Sequence, residues 1–253
     1  MTTRTHLISA IAEALGMTYP KVDSYTRPLV KSGWWNKTAR GAGAKAPTSE
    51  EAAKLLMALF ADGPTQVDGM FLTYARLLPF GDESTFNILR QALDIDRVVS
   101  GFQQDEFLDY LAAFIDAFAT GSIDDLIWRS DEDRLIHNGE LEPTTGDAWD
   151  YYGPQIKFEI SGPYPIGCIT FLPTAHLGDQ IRAAGGRSDD VLKLVFMDQT
   201  LGIGDRLKAD LGEYPEELRK RTARGVKFTK AHDGRVISSV AELLRGPSGN
   251  ADG

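Results

Sequence analysis

The side chains best suited to chemistry with a partner lie near the start of the chain. They fall in the run Thr18-Tyr-Pro-Lys-Val-Asp-Ser-Tyr-Thr-Arg27 and in the Gly/Ala-rich stretch that follows it. On a helix, Tyr19, Lys21, Ser24 and Arg27 share the outward side, and Lys31 continues it. Cations and hydroxyls so placed reach phosphate oxygens or base edges in a DNA major groove. Thr18 would stand at the helix N-terminus, where free backbone N–H groups also accept a phosphate oxygen. Lys37, Arg40 and Lys45 sit among small residues that keep no bulk near a backbone. That composition suits a wing lying along a phosphate strand, where each neutralised phosphate releases counterions. Thr18, Tyr19, Lys21, Ser24, Arg27, Lys31, Lys37, Arg40 and Lys45 are therefore the candidate DNA contacts.

A second basic patch comprises Arg219, Lys220, Arg221, Arg224, Lys227 and Lys230, a stretch with no acidic residue. It suits a second phosphate contact or an acidic partner, and equally a solvated strand edge on which lysine discourages pairing. Other constellations fail on spacing. Asp124-Asp125 with Asp131-Glu-Asp133 lacks the alternating ligands and glycine of a calcium loop. His6, His137, His176 and His232 have no i,i+4 partner and no neighbouring cysteine, so no zinc site is expected. Nothing in sequence ties His176 to Asp198 as an acid–base pair. Gly202-Ile-Gly204-Asp205 lacks the third glycine of a dinucleotide loop, and Gly41-Ala-Gly43-Ala-Lys45 lacks the hydroxyl that follows a P-loop lysine. The single cysteine, Cys168, lies in an apolar run and reads as a buried small hydrophobe. No catalytic residue, metal or cofactor is assigned, and the chain is read as a non-enzyme.

These contacts need elements to hold them. Apolar residues at Leu7, Ile8, Ile11, Ala12 and Leu15 predict a first helix over 5–15, stopped by Gly16. Thr18 as N-cap and Pro20 near the first helical position open a second helix. Pro28 is expected to kink or end it, leaving Tyr19–Arg27 as the recognition element and Leu29–Trp35 as a short continuation. Ala12 and Gly16 permit the close approach that a helix-turn-helix requires, with Ile11, Leu15, Met17, Val22 and Tyr25 facing inward. Trp34-Trp35 would anchor the wing's base. A capping box at Thr48–Glu51 opens a third helix, Glu50–Phe60, closed by Gly63.

Further helices are expected over 66–78, 84–93 and 105–120, the last strongly amphipathic. Strands are expected at 126–128, at 156–172 broken by Gly162-Pro-Tyr-Pro165, at 191–196, near 226–228 and at Val236-Ile237 after a turn at Asp233-Gly234. A short helix would follow from Ser239-x-x-Glu242. The implied fold class is α+β: an N-terminal winged helix-turn-helix module (1–62), then a helical middle and a small mixed α/β region (63–246), then a disordered tail (247–253).

The formal net charge of −9 is unevenly spread. Residues 1–62 carry eight Lys/Arg against five Asp/Glu, whereas 101–190 carry five against seventeen. That asymmetry suits a basic module beside an acidic one that DNA repels. The first residues do not fit a secretory signal and no apolar run is long enough to span a membrane, so a cytoplasmic location and no membrane partner are expected.

The runs IAEALGMTYPKVDSYTRPLVKSGWW and ARGAGAKAPTSEEAAKLLMALFA resemble a group of uncharacterised phage- and prophage-encoded proteins. Those proteins begin with a winged helix-turn-helix-like segment, a Gly/Arg-rich loop and a Leu/Ala-rich helix. The shared positions are Ile11 to Gly16, Val22-Asp23, Arg27, Leu29, Gly33, Arg40-Gly41 and Leu55–Leu59. The chain departs from the pattern at Pro28 and at Trp34-Trp35, and the likeness covers about the first quarter. It implies a phage-type transcription regulator that binds double-stranded DNA as a dimer, with residues 63–246 dimerising or recruiting a protein. The alternative is an interaction factor that grips a host protein through its acidic α/β region.

Overall fold

The computed structural model describes residues 3–36, 45–99, 106–128, 156–162, 165–186, 191–198 and 228–245. Three helices come first: α1 (Arg4–Ala14), α2 (Tyr19–Lys31) and α3 (Ser49–Leu59). A 3-10 turn, the short α4 (Val67–Met70) and a π-helical turn lead to strand β1 (Leu78–Phe80). Helices α5 (Glu83–Ala92), α6 (Ile95–Val98) and α7 (Phe107–Thr120) follow. Then come β2 (Ile156–Gly162), β3 (Ile166–Phe171), α8 (Ala175–Ala183), β4 (Leu192–Met197), β5 (Phe228–Asp233) and α9 (Gly234–Arg245). The strands make one antiparallel sheet in the order β1-β4-β3-β2-β5, so the fold class is α+β.

Helix α7 is the hub. Its sequence FLDYLAAFIDAFAT buries eleven of fourteen residues, more than the one-sided stripe the sequence suggests. A helix apolar nearly all round must be enclosed, and α7 is bounded by the sheet, α3 and α9. Phe107, Tyr110 and Phe114 lie at i, i+3 and i+7 and reach across three strands. Phe107 meets Phe196 at 5.2 Å, Tyr110 meets Phe196 at 5.1 Å, and Phe114 meets Phe158 at 5.6 Å and Phe171 at 5.5 Å. Gly167 makes this approach possible, since a Cβ there would stand 2.9 Å from the Phe107 ring. Gly121, left-handed at φ 84°, ends the helix. Arg245 at the end of α9 then donates to the free carbonyls of Phe118 (2.8 Å) and Ala119 (3.0 Å).

The buried apolar side chains form one continuous core from Leu7 to Ala241. Helix α1 packs on α9 and α3 on α7, so residues 1–62 share their core with the rest of the described chain. Arg4 ties the N-terminal helices together. Its guanidinium lies 4.1 Å over the Trp35 ring, bonds Glu51 at 2.7 Å and reaches the Asn36 carbonyl at 3.0 Å.

Several elements differ from expectation. Pro28 does not end the second helix: α2 runs on to Lys31. Pro28 sits in the last turn, and the amide it lacks would have bonded only the Ser24 carbonyl, on a half-exposed position. Residues 126–128 are not a strand. A 3-10 turn at Ser122–Asp125 leads to one isolated bridge between Ile127 and Pro173. The segment 66–78 is helical without a break as far as Ala75, but as a 3-10 turn, α4 and a π-helical turn in succession, and Leu78 already belongs to β1. Val236-Ile237 is helix, not strand, because the Asp233 carboxylate accepts from the backbone N–H groups of Arg235 (3.1 Å) and Val236 (3.3 Å) and opens α9 there. Val236, Ile237, Val240 and Ala241, all buried, carry the helical period.

Candidate nucleic-acid interface

The turn between α1 and α2 forms as its residues require. Gly16 is left-handed at φ 62°, a conformation costly for a side chain with Cβ. Met17 N–H bonds the Ala12 carbonyl at 2.7 Å, and Ala12 is buried. Val22, Tyr25 and Leu29 face inward and are buried, Ile11 with them, while Leu15 and Met17 are half-buried against the same core. Thr18 stands at the N-cap of α2. Its carbonyl accepts from Lys21 and Val22, but its side chain makes no capping bond, and Pro20 occupies the first turn.

The structure places Tyr19, Lys21, Ser24, Arg27 and Lys31 on the outer side of α2. Tyr19, Lys21, Arg27 and Lys31 are exposed and Ser24 is half-exposed, its hydroxyl donating to the Lys21 carbonyl at 2.6 Å. Asp23 is the one acidic residue of the helix. Among the described residues, no carboxylate pairs with Lys21, Arg27 or Lys31. Arg4, Lys54, Arg90, Arg97, Lys157, Arg182 and Lys230 are each ion-paired. Lys45 is exposed just before α3. Lys37 and Arg40 lie outside the described residues, as does most of the proposed wing. Trp35 at its base is buried, and Trp34 packs 4.9 Å from Phe71.

Of the second basic patch, Arg219, Lys220, Arg221, Arg224 and Lys227 lie outside the described residues, as do Asp131-Glu-Asp133, His137, the glycine runs at 41–43 and 202–204, and the tail. Lys230 is engaged internally: its Nζ donates to the Phe60 carbonyl at 2.6 Å and to Asp62 at 2.5 Å. His176 lies in the first turn of α8, beyond the Phe171 end of β3, whereas Asp198 follows Met197, which pairs with Ile166 at the other end. The length of β3 separates them. His176 instead bonds Gln180 at 3.0 Å. Cys168 is half-buried, on the sheet face away from α7. Burial pushes its thiol up, Lys193 pulls it back, and Glu159 adds to the rise. No group of three or more His, Cys, Asp or Glu among the described residues is arranged to hold a metal ion, and no described helix is long and apolar enough to cross a membrane. A polar surface depression of about 480 Å³ lined by Asn87, Arg90, Gln91, Asp94 and Asp96 is partly closed by the Arg90–Asp96 pair at 2.7 Å.

Sequence reasoning missed one junction altogether. The last turn of α3 and the two residues after it present the carbonyls of Leu56, Phe60 and Ala61, which a helix end leaves free. His232 bonds the first at 3.0 Å, Lys230 the second, and Tyr25 of α2 donates to the third at 3.4 Å. The period-two alternation of Thr229-Lys-Ala-His232 places Lys230 and His232 on one face of β5, and that pattern was the available signal. Comparisons of the chain with family models, curated proteins and solved structures return no match.

Proposed function

We propose that this chain binds double-stranded DNA through a helix-turn-helix formed by α1 and α2, as a phage-type transcription regulator. The observation that carries this reading is the row Lys21, Arg27 and Lys31 on the outer side of α2, exposed and without an ion partner among the described residues. Three cations on one helix without an ion partner among the described residues repel one another, which suits a surface kept for an anion. The uninterrupted α2 also supports it. Thirteen residues make a rod of about 20 Å, enough to lie along a major groove about 12 Å wide. Ser24 and Tyr19 stand among the cations, and the wing carrying Lys37, Arg40 and Lys45 would follow the backbone beside them.

One such helix supplies few contacts, so the reading includes a dimer on two half-sites, with the remainder of the chain bringing the copies together. Anisotropy titration of the full chain against mixed duplexes over a salt series tests it. A steep fall of affinity with salt is expected, and Lys21→Ala/Arg27→Ala/Lys31→Ala in one chain should flatten that dependence. No binding at low salt, or an unchanged slope in the triple variant, would remove α2 as the interface. The full chain is required because α1 and α3 complete their packing on α9 and α7.

A further inference from the structure

We propose that His232 is an acid-sensitive latch that holds the last turn of α3 on β5, so that protonating the imidazole frees that turn from the sheet. The imidazole is buried between strand and helix, and stacks on Phe60 with ring centroids 4.2 Å apart. Its Nε2 lies 3.0 Å from the Leu56 carbonyl. A carbonyl only accepts, so Nε2 carries the proton and the neutral ring leaves Nδ1 bare. Nδ1 is buried and meets no hydrogen-bond partner. A second proton must therefore go to Nδ1, where it would place an unsolvated N–H and a full charge in an apolar site.

The surrounding charges do not relieve this. On β5, Asp233 favours the proton, but its carboxylate is committed to the first turn of α9. Lys230 and Asp62 form their own pair beside Phe60. Lys157 and Glu159 of β2 bond each other and alternate with buried Phe158, the residue paired with His232. On α3 itself, Glu50, Glu51 and Lys54 stand in its first two turns and are paired there. On α9, Arg245 is spent on α7 carbonyls, while Arg235 and Glu242 are exposed. Burial outweighs Asp233 and the Leu56 bond, and holds the imidazole below its ordinary value. A group whose folded value is depressed contributes stability that is complete above its unfolded value, near pH 6.5. That contribution is lost as pH falls towards the folded value. The latch thus loosens as pH falls below about 6.5.

The segment it holds also receives Tyr25 at the Ala61 carbonyl, so release loosens the seat of α2 as well. This inference does not depend on what α2 binds. Hydrogen exchange of the full chain at about pH 7.5 and about pH 5.5, corrected for intrinsic rates, tests it. Protection of 56–62 and 228–233 should fall selectively and reversibly on acidification, by up to about tenfold at pH 5.5, which lies about one unit below the unfolded value. Residues 107–111 serve as the control. They lie next to Glu106, whose carboxyl burial pushes up and Arg76 pulls back, and Phe107 is hydrogen-bonded to Leu77 near β1, at the opposite edge of the sheet. His232→Phe keeps a ring over Phe60 and carries no proton, so its 56–62 segment should exchange alike at both pH values. Equal protection of wild-type 56–62 at both pH values overturns the proposal, as does a loss spread evenly through the chain or one retained in His232→Phe. Should that variant not fold, the wild-type pattern alone decides.

Discussion

Helices α2 and α7 are nearly equal in length and opposite in design. Helix α7 buries eleven of its fourteen residues, holds its aromatic side chains against three strands and has its end carbonyls capped by Arg245. Helix α2 buries only Val22, Tyr25, Thr26 and Leu29 of its thirteen, and leaves three cations without partners among the described residues. The difference separates residues that make the fold from residues the fold displays. On α7 nearly every side chain has a structural task, whereas on α2 the inner four suffice to dock it and the outer ones are available to a partner.

The sharpest way to break this contrast is from the α7 side. Phe114 touches Phe158 and Phe171 and is fully buried. Phe114→Ala should cost about 3–5 kcal/mol, read by chemical denaturation, and a loss below about 1 kcal/mol would mean that α7 is not the hub. Gly167→Ala comes next. Its Cβ would stand 2.9 Å from a ring that is itself enclosed, so about 1–3 kcal/mol of overpacking strain is expected. Combining it with Phe107→Leu should recover part of that loss, which a simple strand-propensity effect would not allow. Thr48→Ala follows. Thr48 Oγ1 accepts from the Glu51 N–H at 3.2 Å, while the Glu51 carboxylate turns to Arg4 instead of completing a capping box. About 1 kcal/mol should be lost, visible as a lower denaturation midpoint.

The helical start of the chain was legible because its determinants are local. Gly16 needs only its own left-handed φ, Ala12 only a small side chain, and Thr48 only the amide three residues on. The β2–β3 hairpin was legible for the same reason, since Gly162 and Pro165 interrupt an apolar run. What stayed hidden depends on partners far along the chain. Nothing near α7 announces that the sheet, α3 and α9 enclose it. Val236-Ile237 has strand-like residue types, and only the Asp233 cap and the later Val240-Ala241 pair decide for helix. Pro28 misled because a proline's cost depends on which carbonyl loses its donor, and Ser24 lies towards solvent. His232 and Lys230 act on carbonyls about 170 residues away in sequence, a distance that no local spacing encodes. The candidate contacts on α2 were recognisable as outward-facing residues. That they lack ion partners became visible only with the neighbouring elements in place.

The smallest effect on the fold falls on those same cations, and it separates the two helices most cleanly. Lys21, Arg27 and Lys31 are exposed and support no described carboxylate, so each single Ala substitution should shift stability by no more than about 0.5 kcal/mol. Removing a self-repelling charge opposes the loss of stem packing, which keeps the net change small. For DNA the expectation reverses. Each substitution should lower the salt dependence of duplex binding by about one phosphate contact and weaken every sequence about equally if it serves the backbone, or relax a single base position if it serves readout. Measured side by side, a substitution on the outer face of α2 should move the salt slope and leave the denaturation midpoint, whereas one in α7 should move the midpoint and leave the slope of the folded protein unchanged. If Lys21→Ala or Arg27→Ala lowers the midpoint as much as Thr48→Ala does, then α2's outer face belongs to the fold and the assignment of these cations to DNA loses its support.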